Sequence, residues 1–147
     1  MQFDHQEFVL TLGDDWRQLP TNDPEQFVFE SGKQQTTLTI SLVRAGVPKA
    51  RLLEVARHFS GMREEAERVD RSRKITFGDK WVELKPSGDV AEIAYAGHDD
   101  RGRIFRFFGF VTQAKVLSFY CETVTTDNEF SKRVFDEAFR SFQFYVP

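Results

Sequence analysis

Between Thr36 and Val69 the apolar positions change their period, and few folds accommodate that change. Leu38, Ile40 and Leu42 alternate with Thr37, Thr39 and Ser41, the period of two of a half-buried strand. Leu52, Val55, Phe59, Met62, Ala66 and Val69 then follow steps of 3, 4, 3, 4 and 3. That spacing draws one apolar stripe along a helix, with Arg51, Glu54, His58 and Glu65 on its far side. Pro48 suits the first helical turn, where a missing N–H costs nothing, and Ser60-Gly61 is a point where the helix could bend.

The rest of the chain divides around this change. Phe8, Leu10 and Leu12 alternate until Gly13-Asp14-Asp15 breaks the run ahead of Trp16. Phe27 and Phe29 alternate again, after a loop bracketed by Pro20 and Pro24 and before a turn at Ser31-Gly32-Lys33. From Arg71 onward strands return, at 74–77, 80–85, 90–96, 103–112 and 115–124. Turn signals separate them at Gly78-Asp79, at Pro86 to Asp89 and at Gly97 to Gly102, so this stretch reads as an antiparallel meander. Thr126 with Glu129 fits a capping box, and Phe130, Val134, Ala138 and Phe139 mark the buried side of a closing helix. Residues 142–146 read as a short last strand. With no repeat, linker or low-complexity segment, the expectation is a single α+β domain over residues 1–147. It has a mainly antiparallel sheet of about seven strands, a typical size, and two amphipathic helices packed on it.

Composition narrows the function. A chain of 147 residues has the usual size of one domain, and 16 phenylalanines favour pleated, half-buried surfaces. With 20 basic and 23 acidic residues the net charge is −3, which lacks the basic excess that releases counterions from nucleic acid. The charge run from Arg63 to Lys74 nets only +1 and reads as a solvated helix end. Cys121 is the one cysteine, so no intrachain disulfide forms. The apolar stretch at 104–111 is broken by Arg106 and falls far short of the ~20 residues that span a bilayer. The first residues carry no basic start followed by an apolar run, so a cytoplasmic location is expected.

The order of elements resembles a known superfamily. A strand ending in a Trp (Phe8 to Trp16), a second strand at Phe27–Phe29 and a Thr/Ser-rich third lead into a long helix. A meander follows, then a helix ending in Phe139-Arg140-Ser141-Phe142. This is similar to the PsbP/Mog superfamily: photosystem PsbP subunits, nuclear Ran-binding Mog proteins and bacterial DcrB-like proteins, the last being the branch expected here. Members often carry Pro-Gly before the Trp, where this chain has Gly13-Asp14-Asp15. The resemblance implies a sheet flanked by helices and proteins that work by binding other proteins, including small bacterial chaperones dedicated to secreted effectors. It carries over no catalytic residue.

Three constellations invite a chemical reading. Arg106-Phe107-Phe108-Gly109-Phe110-Val111 resembles the RNA-stacking strand of an RRM, but Phe107 stands where the first Gly belongs and Gln113 replaces the last aromatic. No helix fits between the strands before it either, so no nucleic acid is expected. The loop His98-Asp99-Asp100-Arg101 gathers an imidazole and two carboxylates, yet neither His5 nor His58 is near in sequence, and Asp and Gly are what a hairpin loop prefers. Cys121 sits mid-strand without an activating base and reads as a small buried hydrophobe, while Trp16 and Trp81 read as core anchors. No catalytic, metal or cofactor site is expected, and no cofactor.

The functional expectation is a non-enzymatic binding or adaptor domain, chaperone-like or an assembly factor. Phe105/Phe107 and Phe108/Phe110 place apolar rings on both faces of one strand, and two helices need not cover both faces of a seven-stranded sheet. An uncovered aromatic face would mark a site for another protein or a homodimer interface, with the exposed loop His98, Asp99, Asp100 and Arg101 as a further contact. The alternative is a small-molecule or lipid-binding domain, its pocket between the sheet and the first helix and lined by Phe and Trp.

Overall fold

The structure, a computed structural model, describes residues 1–70 and 74–147. The charge run at 63–74 and the expected return of strands at 71 therefore fall partly outside the described residues. The chain forms β1 (Gln2–Asp4), β2 (Phe8–Thr11), β3 (Trp16–Leu19), β4 (Gln26–Ser31) and β5 (Thr36–Arg44). A 3-10 turn (Lys49–Arg51) leads into α1 (Leu52–Asp70). Then come β6 (Ile75–Leu84), β7 (Ala91–Asp99), β8 (Arg103–Val111), β9 (Lys115–Val124), α2 (Asn128–Arg140) and β10 (Gln143–Phe144). The main sheet has seven antiparallel strands in the order β3-β4-β5-β9-β8-β7-β6, and β1, β2 and β10 form a small second sheet. The expected α+β class, with two helices on an antiparallel sheet, is what the chain adopts.

Several boundaries move, each for a physical reason. The break at Gly13-Asp14-Asp15 separates two sheets: β2 pairs with β1 and β10, whereas Trp16 opens β3 in the main sheet. Gly78-Asp79 is not a turn. It is a β-bulge inside one ten-residue strand, β6, where pairing with β7 slips between Phe77 and Lys80. The cap of α2 is Asp127 and not Thr126, because the Asp127 carboxylate accepts the N–H groups of Glu129 (3.0 Å) and Phe130 (3.2 Å). Helix α1 runs unbroken through Ser60-Gly61.

The buried side of α1 also departs from the apolar stripe. Leu52 and Ala56 are fully buried, but Met62 is 56% and Val69 70% exposed. A stripe averaging 3.5 residues drifts about 20° per heptad on a straight helix. By its last turns it has rotated off the sheet, and Arg63 and Glu67 face inward in its place. Glu67 is buried because its carboxylate accepts the O–H groups of Tyr95 (3.1 Å) and Tyr120 (3.0 Å). Arg63 donates to the Tyr95 oxygen (3.3 Å) and lies over the rings of Phe107 and Tyr120. Burial also pushes the Tyr95 hydroxyl's pKa up, so it stays a donor to Glu67.

Two cores result, one on each face of the main sheet. Leu52 and Ala56 of α1 cover Ile93, Tyr95, Phe105, Phe107 and Val111 on one side. On the other, Val134, Phe135 and Ala138 of α2 join Phe8 and Leu10 of the small sheet over Leu38, Ile40, Phe110 and Phe119. Gly97 permits the first core to close: a Cβ there would lie 2.5 Å from Phe105 Cζ and 2.7 Å from the Thr76 carbonyl oxygen. Gly97→Ala is therefore expected to destabilise the protein by about 2 kcal/mol in urea unfolding, through overpacking.

A charged latch fixes the small sheet to the large one. Lys115, at the start of β9, is wholly buried. Its ammonium donates to the Glu7 carboxylate in the β1–β2 turn and to the Tyr145 carbonyl beyond β10. Glu7 also pairs with Arg44 at 2.5 Å, and the hydrogen bond from Lys115, then that from Arg44, hold its carboxyl below the ordinary value of 4.5. A depressed carboxylate contributes stability that is complete above 4.5 and is lost as pH falls through the lowered value. Glu7→Gln leaves the Lys115 charge buried without a counter-charge, so the expected loss at neutral pH is about 3 kcal/mol. The gap between wild type and variant should narrow as pH falls through that lowered value, below which both lack the carboxylate. A gap that does not change with pH in urea titrations would assign the latch no electrostatic role.

Candidate functional site

Cross-strand register shows which side chains share a face. One row runs Leu19, Val28, Thr39, Tyr120, Phe107, Tyr95 and Lys80 across all seven strands. Helix α1 packs on β6, β7 and β8 of this side, and its Glu67 reaches as far as Tyr120. Past Tyr120, no helix among the described residues lies over β3, β4 and β5. The face left open there carries Leu19, Val28, Thr39 and Ser41, all half-buried by their neighbours, with the Arg17–Glu30 ion pair at its edge.

The aromatic quartet is not at that opening. Phe105, Phe107 and Phe110 are buried and Phe108 is half-buried, so both faces of β8 are covered within the chain. The expectation of an uncovered aromatic face is corrected accordingly: α1 takes the Phe105/Phe107 side, and α2 with the small sheet takes the Phe108/Phe110 side. Phe110 packs tilted against Phe144 at 4.5 Å, and Phe108 stacks on Phe139 at 4.8 Å. The RRM-like run thus turns its rings into two cores and offers no stacking platform.

The loop between β7 and β8 divides in the same way. Asp99 is buried, and its carboxylate accepts the N–H groups of Arg101 (2.9 Å) and Arg103 (3.1 Å), which is turn chemistry. Gly102 takes φ +74°, which closes the turn. His98, Asp100 and Arg101 are exposed. Among the described residues no three of His, Cys, Asp and Glu gather as a metal site would require.

Concave space lies beside α2; between the sheet and α1, where a pocket was expected, stand Arg63, Glu67 and the two tyrosines. A cavity of about 610 Å³ at the loop end is lined by residues including His98, Arg103, Arg106, Thr126 and Asn128. It adjoins a recess of about 230 Å³ between β6–β8 and α2, bounded by Trp81, Ala94, Phe108, Lys132, Phe135 and Asp136. Asp79, Ala96 and Arg106 line both. Trp81 is not the core anchor its type suggested: it is 44% exposed, its ring stands against Phe108 at 5.8 Å, and its N–H donates to Glu92 (3.2 Å). Trp16, by contrast, is buried.

Arg106 sits at the junction. Its Nε donates to Ser131 Oγ (3.2 Å), and one terminal nitrogen, Nη2, donates to Asn128 Oδ1 (2.6 Å) and to the Asn128 carbonyl (3.3 Å). Partial burial lowers its pKa, with Asp136 and Asp79 opposing at longer range, and it remains a cation. The sequence marks Arg106 as the break in the apolar stretch at 104–111 and as part of an RRM-like run, and not as a site residue. The signal was present: Ile104, Phe108 and Phe110 form an apolar face by period two, and Arg106 interrupts it. Lys115 and Glu67 were missed because their partners lie 108 and 53 residues away in the chain.

Cys121 is buried as expected, and burial drives its thiol up to about 12. A disulfide reagent at neutral pH is therefore expected to modify the native protein no faster than it unfolds. Rapid labelling of the folded state would contradict this packing.

No protein-family model matches the sequence, and no curated protein matches it either. Among solved structures, the fold is similar to cyanobacterial PsbP (CyanoP) from Synechocystis sp. PCC 6803. The TM-score is 0.66 at 14% identity, over 99% of this chain and 92% of that one. A structure from Bacteroides thetaiotaomicron aligns with a TM-score of 0.45 at 14% identity, with 94% of this chain covering 45% of that one. The first comparison shows that the fold is PsbP-like. Among the described residues, no helix is long and apolar enough to cross a membrane.

Proposed function

We propose that this is a non-enzymatic accessory domain that binds another protein through the open face of β3, β4 and β5, in the manner of an adaptor or a dedicated bacterial chaperone of the DcrB-like kind. The observation that supports it most is the unequal cover of the main sheet. One side is closed over β8, β9 and β5 by α2 and the small sheet and keeps only the groove at β6–β7, while α1 stops short of β5 on the other and leaves three strands without a cover. The open side carries a Leu19–Val28–Thr39 row that side chains or backbone of a partner can lie across. The exposed His98, Asp100 and Arg101 form a separate charged patch at one end of the sheet. A second copy of the chain is the other candidate occupant of the open face.

Val28→Arg and Thr39→Glu place two long side chains of opposite charge, facing each other in the register, on this face at a cost of about 1 kcal/mol or less. Affinity purification of the tagged protein from its host should capture a stoichiometric partner, and the double variant should lose at least about nine-tenths of it, a tenfold change. If light scattering instead finds a dimer that the double variant dissociates, the face belongs to self-association. A partner retained in full by the variant would remove the face from consideration.

A second reading, a small-ligand-binding domain, is supported by the recess of about 230 Å³ beside Trp81 and Phe108. Its walls carry the aromatic side chains that such a site uses, with Asp79, Arg106, Lys132 and Asp136 at its margin.

A further inference from the structure

We infer that the groove beside α2 binds a small monocarboxylic acid, with its apolar part in the Trp81–Phe108–Phe135 recess and its carboxylate on Arg106. This deepens the ligand-binding reading and is independent of the partner face, which lies on the opposite side of the sheet.

Arg106 is half-buried, yet the acceptors that hold it, Ser131 and Asn128, are neutral. No carboxylate lies within ion-pair distance of it among the described residues. Its Nη1 has no protein acceptor there, so two N–H groups remain available at the junction of the two cavities. Asn128 and Ser131 fix the plane of the guanidinium in advance, which lowers the ordering cost of a ligand's arrival.

The recess sets the size of the apolar part. Ala94 and Ala96 line its floor on β7, and a Trp and two Phe side chains close around it. An apolar cavity of about 150 Å³ accommodates benzene, so about 230 Å³ admits one ring with a short chain.

The flanking charges set the class of anion. Asp79 and Asp136 line the groove beside Arg106, and Asp136 is paired with Lys132 at 2.6 Å. The charged side chains that line the recess, Asp79 and Asp136 against Arg106 and Lys132, already balance, so a monocarboxylate adds one negative charge where a phosphate dianion or a dicarboxylate adds two, and the monoanion meets less repulsion from the two aspartates.

The test follows ¹⁵N-labelled protein by NMR during titration with 3-phenylpropionate, with 3-phenylpropionamide as the uncharged control. The acid should shift the Trp81 indole N–H and the Ala94 and Ala96 amides in a saturable way. It should bind at least about tenfold more tightly than the amide, because one hydrogen-bonded charge separates them. Arg106→Gln should bring the acid down to the level of the amide. Since Arg106 also ties β8 to α2, Ala96→Leu serves as a second variant: Ala96 lies across from Arg106 in the β7–β8 register, so the larger side chain fills the recess while the guanidinium itself is retained, and it should block both compounds. Equal affinity for acid and amide, shifts located elsewhere, or unchanged binding by Ala96→Leu would overturn the inference. Tighter binding of acetyl-Ala-Phe than of the free acid would overturn the small-acid assignment in favour of a chain terminus. Partner capture that survives Arg106→Gln and Ala96→Leu leaves the protein-binding proposal standing whichever way these titrations fall.

Discussion

Strand β8 has no polar face. Phe105 and Phe107 point one way, Phe108 and Phe110 the other, and the strand lies near the middle of a seven-stranded sheet. Apart from Arg106, which borders the groove, a central strand of this kind cannot be left wet on either side, so the fold must supply two covers from one short chain. Helix α1 is one, and α2 with β1, β2 and β10 is the other. The remaining architecture follows from how those covers are anchored: α1 by Arg63 and Glu67 over two tyrosines, the small sheet by the buried Lys115 ammonium.

The two covers differ in reach, and that difference gives the molecule its distinct surfaces. Helix α2 and the small sheet span β5, β9 and β8 but leave the β6–β7 side open, where Trp81 and Arg106 border a groove. Helix α1 covers β6 to β8 and leaves β3 to β5 bare. Each face of the sheet is therefore open at the opposite edge. The bare β3–β5 face is built mainly of Thr, Ser and aliphatic side chains, which solvent tolerates, while the groove on the other side sets aromatic walls beside Arg106 and a few further charged side chains.

Much of this was legible in the residue order. Alternation at Leu38, Ile40 and Leu42 and the stripe from Leu52 gave a strand and a helix that both exist. The rings of β8 correctly announced that both faces need cover. Local signals could not say that the chain itself would cover them, because Phe144 and Phe139 reach Phe110 and Phe108 only through tertiary packing. Gly78-Asp79 has turn chemistry in sequence, but β7 offers a continuous partner along both halves of β6, and the pairing absorbs the extra residues as a bulge. Glu67 and Lys115 were opaque for a related reason: a buried charge is stable only once its distant partners are in place.

The pairing of β5 with β9 joins residues 36–44 to residues 115–123, and everything between them is inserted at this one seam. β2 likewise waits for β10, more than 130 residues later. During synthesis the first three strands of the main sheet emerge long before the strand they must dock against, with Phe27 and Phe29 uncovered. Closing such loops precedes any gain from the contacts they make, so the protein should fold slowly for its size. Assembly of the sheet can finish only after residue 144 has left the ribosome, which leaves the newborn chain dependent on its surroundings for longer than a helical domain of equal length.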